Sequence, residues 1–386
     1  MRTAPEYSAY PKARKPDYSR WWGAGGVLLF LTIVSVGLRF TSSSFLGWED
    51  TAWWAQVSVG LVYTLAIWLL AFVACVLYHS LASHNAYWYA KTTGQIQQDW
   101  WERHRQNVAL MDAVLLGPPC NTRQHGQQLL SPDHQPPTPE ASPEGPVVRL
   151  PHVSGADSAE REHQLARLLA LQWDEQREKA EVLQPLCCYW QGSLSAWKVF
   201  VEQMTQCCPQ LQLPESPEPW QGLRSLDSII DRLQDAPDAI RVLCAGCQST
   251  SPERDRLLPA GEAAVLWWLG PRGGVRFSRG EWFTTAEEEL TTVAQRALQQ
   301  SKLEVPAPSC VSFSQPDVPE LSIAGWNIEK SLQDANFGTL AGLELMVAST
   351  LAAWHAEQQG KPCAWLANDP HHTLVLGVAQ ADESSQ

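Results

Sequence analysis

Two long, uncharged apolar runs dominate the N-terminal part of the chain. Residues 21–38 form a run of 18 and residues 51–78 a run of 28. A helix of roughly 20 apolar residues crosses the hydrocarbon core of a bilayer, which is about 30 Å thick. A signal peptide explains the pattern less well, because no small-residue cleavage site follows the first run and the second begins soon after it. The pattern predicts a two-helix transmembrane hairpin over residues 21–78.

The basic residues predict how this hairpin is oriented. A basic arm, residues 1–20, precedes it, and three more cations follow it at Lys91, Arg103 and Arg105. The connecting loop, residues 39–50, holds one arginine against two acids. Because basic flanks stay in the cytoplasm, we expect both termini in the cytoplasm and a short outer loop, in a bacterial inner membrane.

Beyond the hairpin the pattern changes to short alternating elements. Residues 79–130 combine a polar, aromatic helix with a first strand. Residues 131–157, with seven prolines between 131 and 151, predict an exposed, mobile loop. Residues 158–386 alternate helices and strands, which predicts a layered α/β domain in the cytosol. The predicted helices are 158–183, 192–204, 225–234, 285–300 and 339–358, and the predicted strands are 108–116, 240–243, 263–269, 363–366 and 373–378.

Charge and cysteine content narrow the classes of partner and site. The net charge is −13, with no basic block after the N-terminal arm, which argues against a nucleic-acid partner. Nine of the ten cysteines lie in the predicted cytosolic part, where we expect free thiols. Cys244 and Cys247 have the spacing of a zinc or redox motif, but no second ligand pair accompanies them. We therefore expect no metal and no cofactor.

Three stretches of the C-terminal part resemble the thiolase fold and, within it, the β-ketoacyl synthases. Residues 238–247 (DAIRVLCAGC) resemble the strand that follows the nucleophile-bearing helix in that family. Residues 258–265 (LPAGEAAV) are similar to its Gly-Glu-Gly-Ala strand start. Residues 327–336 (NIEKSLQDAN), continuing to Ala341 and Gly342, resemble the segment in which a lysine precedes Gly-His and a small-residue helix. The resemblance spans roughly residues 220–380 and implies a thiolase-like domain.

The residues that do the chemistry in those enzymes are missing at the matching positions. The resemblance places a nucleophilic cysteine at the start of a helix, because a helix N-terminus lowers the pKa of a thiol. The matching residues 220–225 (WQGLRS) contain no cysteine. The resemblance also places one catalytic histidine at position 336, where this chain has Asn336. It places another within residues 311–326, which contain no histidine. An amide is no general base, and Lys330, which matches in type, lacks its partners.

We therefore predict a non-catalytic adaptor rather than an enzyme: a membrane hairpin that holds a degenerate thiolase-like domain. In general appearance the chain looks like the membrane-anchored accessory proteins of bacterial secretion systems, such as type VI effector adaptors. The expected partners are the lipid bilayer and a protein, either a secreted effector or a secretion-system component, with a homodimer through the thiolase-like domain as a further option. The candidate interaction residues are five tryptophans in polar segments: Trp100, Trp101, Trp190, Trp220 and Trp282.

Two other functions stay open. The chain is alternatively an acyl-transfer enzyme of the ketosynthase type, with Cys244 or Cys247 as a relocated nucleophile, although the sequence identifies no base beside either thiol. A third option is an immunity or envelope component that acts through the outer loop, which at about 12 residues offers little surface for a partner. Acylation of a cysteine would distinguish the enzyme from the adaptor.

Overall fold

The computed structural model describes residues 4–11, 14–43, 51–177, 183–254, 257–285, 288–314 and 319–382. The chain forms two compact units, Met1–Trp101 and Glu102–Gln386. The first is built from the long apolar helices and the second from the alternating elements that follow them.

Two helices make up the first unit. Helix α1 is Tyr18–Ser43, and α2 is Thr51–His104, so the last turn of α2 belongs to the second unit. Over Val57–His104, α2 contains a stretch long and apolar enough to cross a membrane, judged by length and composition. Both predicted helices are therefore present, and one of them is a candidate span. Residues 44–50 of the predicted outer loop, and Arg2 and Lys12 of the basic arm, lie outside the described residues.

The two helices pack against each other through polar as well as aromatic side chains. Trp68 Nε1 donates a hydrogen bond to the carbonyl oxygen of Trp21 at 3.2 Å. The hydroxyl groups of Thr32 and Thr64 lie 3.0 Å apart. Hydrogen bonds between apolar helices are worth about 1 kcal/mol in a bilayer, so these contacts fix the register of the pair.

A twelve-stranded sheet organises the second unit. Its strands are β1 Asn107–Leu116, β2 Glu140–Ser142, β3 Gly145–Val148, β4 Cys187–Gln191, β5 Glu218–Pro219, β6 Val242–Ser249, β7 Ala260–Gly270, β8 Val275–Ser278, β9 Glu281–Phe283, β10 Ser309–Ser312, β11 Cys363–Asp369 and β12 His372–Ala381. The main path runs β10-β11-β12-β8-β1-β7-β6-β4-β5, with β2, β3 and β9 paired outside it. Strands at both ends of this path pair in parallel, and those in the middle are antiparallel.

Helices cover both faces of the sheet. The longer ones are α4 Ser158–Gln176, α5 Leu194–Cys207, α6 Leu223–Leu233, α7 Leu290–Gln300 and α10 Glu344–Gln359, and the short ones are α3 Arg123–Gln128, α8 Pro319–Ile323 and α9 Asp334–Phe337. The largest core contains α6 and α10 on one face. On the opposite face, α4 and α5 cover β1, β6 and β7, and α7 covers β10 to β12.

The sequence of β7 explains how one strand serves both cores. All eleven of its residues are buried. Ala263, Val265 and Trp267 belong to the core with α6 and α10, whereas Ala264 and Leu266 belong to the core with α4 and α5. Successive side chains of a strand point to opposite faces, so a continuous apolar run indicates a strand covered on both sides.

The α/β class predicted from the sequence is confirmed. Every predicted helix and strand of the second unit overlaps an observed one, but the helix predicted over 158–183 ends at Gln176 and the strand predicted over 240–243 continues to Ser249. Residues 178–182 of that predicted helix lie outside the described residues. Strand β1 lies between β8 and β7, so residues 107–116 belong to the sheet itself. Within the proline-rich segment, β3 pairs with β7, with Val147 opposite Ala260.

Candidate active site

The starts of α6 and α10 meet the same element of the sheet, the turn between β11 and β12. The carboxylate of Asp369 accepts a hydrogen bond from the backbone N–H of Leu223, the first residue of α6. The preceding residue, Asn368, donates to Glu344, the first residue of α10. One turn therefore joins the start of α10 to the start of α6, where the resemblance expects the nucleophile.

Gly222 precedes α6 and makes close contact with this turn. Its φ is 60°, a left-handed conformation that glycine adopts without steric cost. A Cβ at this position would overlap Asp369 Oδ1. Glycine is thus required both by the backbone conformation and because there is no room for a Cβ atom. The neighbouring Gln221 and Arg224 are exposed, so the helix start lies at the protein surface.

Asp369 and His372 form a buried acid–imidazole pair at this point. His372 Nδ1 lies 2.6 Å from Asp369 Oδ2, and the exposed fractions of the two side chains are 6% and 1%. Asp369 also accepts from the backbone N–H of His371 at 3.1 Å and of Leu223 at 3.2 Å. An ionised carboxylate can only accept hydrogen bonds, so the ring nitrogen that faces it, Nδ1 of His372, carries the proton. In the described part of the chain, Nε2 has no hydrogen-bond partner and is the basic nitrogen.

The indole of Trp282 holds the imidazole from the other side. The ring centroids of Trp282 and His372 are 4.0 Å apart, and the rings are tilted by 28°. Together with the hydrogen bond to Asp369, this stacking fixes the orientation of the His372 ring.

The start of α10 holds a carboxyl group of a different kind. Glu344 Oε2 accepts from Asn368 Nδ2 at 2.7 Å and from the Asn368 backbone N–H at 3.2 Å. Burial raises the pKa of Glu344 to about 7, and the negative charge of Asp334 contributes to the rise. Asp334 itself accepts from the Ser314 backbone N–H at 2.8 Å, and burial raises its pKa as well. Near neutral pH, Glu344 therefore exchanges a proton.

The position that the resemblance gives to a second catalytic histidine is occupied by a buried amide. Asn336 Nδ2 donates to Gln333 Oε1 at 3.0 Å. Asn336 Oδ1 lies 2.8 Å from Nε2 of His134, which belongs to the proline-rich segment. The imidazole of His134 thus lies beside Asn336. The two residues are 202 positions apart in the chain, so the sequence does not indicate this contact. Lys330 lies in a short 3-10 turn and is exposed.

Cys244 and Cys247 lie within β6. Both are fully buried in the sheet. Burial raises the pKa of each thiol well above its ordinary value. Because the thiolate is the nucleophilic form, neither residue is suited to attack a substrate. In the described residues no three His, Cys, Asp or Glu side chains form a group that could hold a metal ion.

The five tryptophans proposed as interaction residues occupy different environments. Trp190 packs on Trp197 and Phe200 inside the core with α4 and α5. Trp220 is buried against Tyr189 and Trp267 in the core with α6 and α10. These two rings therefore stabilise the fold. Trp282 stacks on His372, and Trp100 and Trp101 contact each other edge to face near the end of α2.

Comparison with solved structures assigns the fold. The ishigamide ketosynthase/chain length factor matches with a TM-score of 0.50 and 13% sequence identity, over 71% of this chain and 99% of that one. The second unit has a thiolase-like fold. A ketosynthase from module 1 of the bacillaene synthase of Bacillus amyloliquefaciens also matches, with a TM-score of 0.48 and 10% identity, over 73% of this chain and 77% of that one. No protein-family model and no curated protein matches the sequence.

These matches correct our functional expectation. We expected a non-catalytic adaptor that is not an enzyme, because the family's cysteine and histidines are missing from their positions. The matched fold is that of ketosynthases, and it contradicts the expectation of a non-catalytic adaptor that is not an enzyme. That expectation rested on the missing cysteine and histidines, and local sequence patterns do not show which side chains the fold brings to the start of α6, such as Asp369 from β11.

Proposed function

We propose that this chain is an acyl-transfer enzyme whose reaction centre is the start of α6. The observation that carries the proposal is the pair formed by Asp369 and His372. An imidazole whose Nδ1–H is held by a buried carboxylate is oriented for proton transfer at Nε2. Since a fold hosts many functions, the proposal rests on this site, and the thiolase-like fold supplies the substrate class, an acyl thioester.

The reaction we propose needs no cysteine. His372 Nε2 takes a proton from water or from the hydroxyl group of an acceptor as its oxygen attacks the acyl carbonyl carbon. A C–O bond forms, the C–S bond breaks, and the imidazolium returns its proton to the leaving thiolate. Asp369 stabilises the imidazolium, as a carboxylate does in acyl-transfer triads. The products are a thiol and either a free acid or an ester.

The test is turnover of acyl thioesters by the full chain in a non-ionic detergent. We expect release of free thiol from at least one member of a series of acyl-CoA chain lengths. His372→Ala should reduce the rate by about 10²- to 10⁴-fold, the usual contribution of a general base. His371→Ala is the matched control, since His371 is exposed and only its backbone contacts Asp369.

A wild-type chain that turns over no thioester would overturn the proposed reaction. Equal rates in the His372→Ala and His371→Ala variants would remove His372 from it.

We also propose that the first unit anchors the enzyme to a membrane by both helices. The support is the apolar stretch of α2, the 18-residue apolar run within α1, and the hydrogen bonds between them. The cation distribution places both termini in the cytoplasm of a bacterium. A reporter fused at Gln386 should be active in its cytoplasmic form only; a periplasmic signal would contradict the orientation. An association with type VI secretion stays a prediction from general appearance.

A further inference from the structure

We propose that a basic cavity in the second unit binds a soluble, phosphate-bearing ligand. The cavity has a volume of about 910 Å³ and lies between the ends of α7 and α10 and the strands β8 and β12. Its charged wall residues are Arg105, Arg276, Lys302, Lys361 and Asp382. None of them belongs to the site at the start of α6, so the proposal is independent of the acyl-transfer function.

The charge of the cavity exceeds what the fold requires. Lys302 and Lys361 follow the C-terminal ends of α7 and α10, where a cation balances the helix dipole. Each helix end contributes about −0.5 charge, which is about −1 for the two. Arg276 pairs with Asp382 at 2.8 Å, so the net charge of the wall is positive, and Lys302 and Lys361 together exceed the charge of the two helix ends. In a chain with a net charge of −13, this local excess indicates an anionic ligand.

Two buried wall residues carry polar atoms without partners. Gln300 Oε1 and Ser301 Oγ have no hydrogen-bond partner in the described part of the chain, and these residues are only 4% and 7% exposed. The other end of the Gln300 amide is engaged, because its Nε2 donates to Glu281. Buried polar groups normally have partners.

The size of the cavity favours a soluble ligand. Its volume is in the range of pockets for molecules much larger than phosphate ion.

The experiment is calorimetric titration of the full chain in phosphatidylcholine nanodiscs with inorganic pyrophosphate as the probe. The wild-type chain should bind, and affinity should fall as salt rises. The double variant Lys302→Gln/Lys361→Gln should lose at least about tenfold in affinity, or 1.4 kcal/mol. Lys198→Gln, an exposed lysine on α5, is the matched control and should bind like the wild type.

No binding of pyrophosphate by the wild-type chain, or equal binding by the double variant, would overturn the proposal. Loss of pyrophosphate binding when phosphatidylglycerol is added to the nanodisc, in the wild-type chain at constant salt, would overturn the soluble source and assign the cavity to a lipid headgroup.

Discussion

The starts of α6 and α10 use carboxyl groups in opposite ways. At α6, Asp369 accepts from three donors, one of which is the imidazole of His372. At α10, Glu344 accepts from the side-chain amide and backbone N–H of Asn368, and burial raises its pKa to about 7. The first carboxylate has a partner that can carry positive charge, whereas the donors to the second, in the part of the chain that the structure describes, are neutral amides.

This difference divides the chemistry between the two helix starts. The Asp369 carboxylate accepts from Nδ1 of His372 and so orients its ring. A buried carboxyl group with amide partners favours its neutral form and holds a proton near pH 7. We infer that the start of α6 performs proton transfer, while the start of α10 stores a proton beside it.

The largest effect is expected for Asp369→Asn. The variant keeps the shape of the side chain but removes the charge that orients and stabilises the His372 imidazolium, so thioester turnover should fall by about 10²- to 10⁴-fold. Steady-state rates at constant pH measure this. Asp174→Asn on α4, where the carboxylate pairs with Arg177 at 2.8 Å, is the control and should turn over substrate normally. Equal rates in the two variants would show that the charge of Asp369 plays no special part in turnover, and would contradict the proposed role of the start of α6.

The second-largest effect is expected for Gly222→Ala. The new Cβ would meet Asp369 Oδ1, and alanine at a φ of 60° is strained. We expect a loss of about 2–4 kcal/mol of unfolding free energy, together with reduced turnover as Asp369 is displaced. Chemical denaturation in detergent measures the first effect. A variant as stable as the parent would show that the turn and α6 are not in close contact.

Several parts of this fold follow from the sequence, but the site does not. The uninterrupted apolar run of β7 and the position of α10 follow from local patterns. Residues 368–372 also predict a turn locally, and the hairpin confirms it. The hydrogen bond from Leu223 to Asp369 joins residues 146 positions apart. No periodicity encodes such a contact, so local patterns place His372 in a turn and indicate nothing more. The burial of Trp190 and Trp220 is likewise not visible in the sequence, since it depends on tertiary packing.

Glu344→Gln should change the pH dependence of stability. A carboxyl group whose pKa is raised on folding binds more protons in the folded state, so stability falls as pH rises from about 4.5, its unfolded pKa, to about 7. The fall is at most about 3 kcal/mol. The variant has no such titration, so its unfolding free energy should be flatter over this window. Parallel pH profiles for parent and variant would refute the proton-storing role.

The smallest effect is expected for Gly342→Ala, the counterpart of Gly222 just before α10. Gly342 lies in a 3-10 turn, and its added Cβ would meet only the end of the flexible Gln191 side chain. That amide can rotate away, so we expect a change below about 1 kcal/mol in unfolding free energy. A loss as large as that of Gly222→Ala would mean that both helix starts are equally constrained.

The central claim is direct acyl transfer by the pair of Asp369 and His372, without a covalent intermediate on the chain. Rapid mixing with an acyl thioester, followed by acid quench and intact-mass analysis, tests it most directly. For the wild-type chain we predict release of thiol with no acyl group added to the protein mass, and a rate reduced by about 10²- to 10⁴-fold in His372→Ala. An acylated cysteine that forms and decays at the turnover rate, at Cys244, Cys247 or elsewhere, would contradict it.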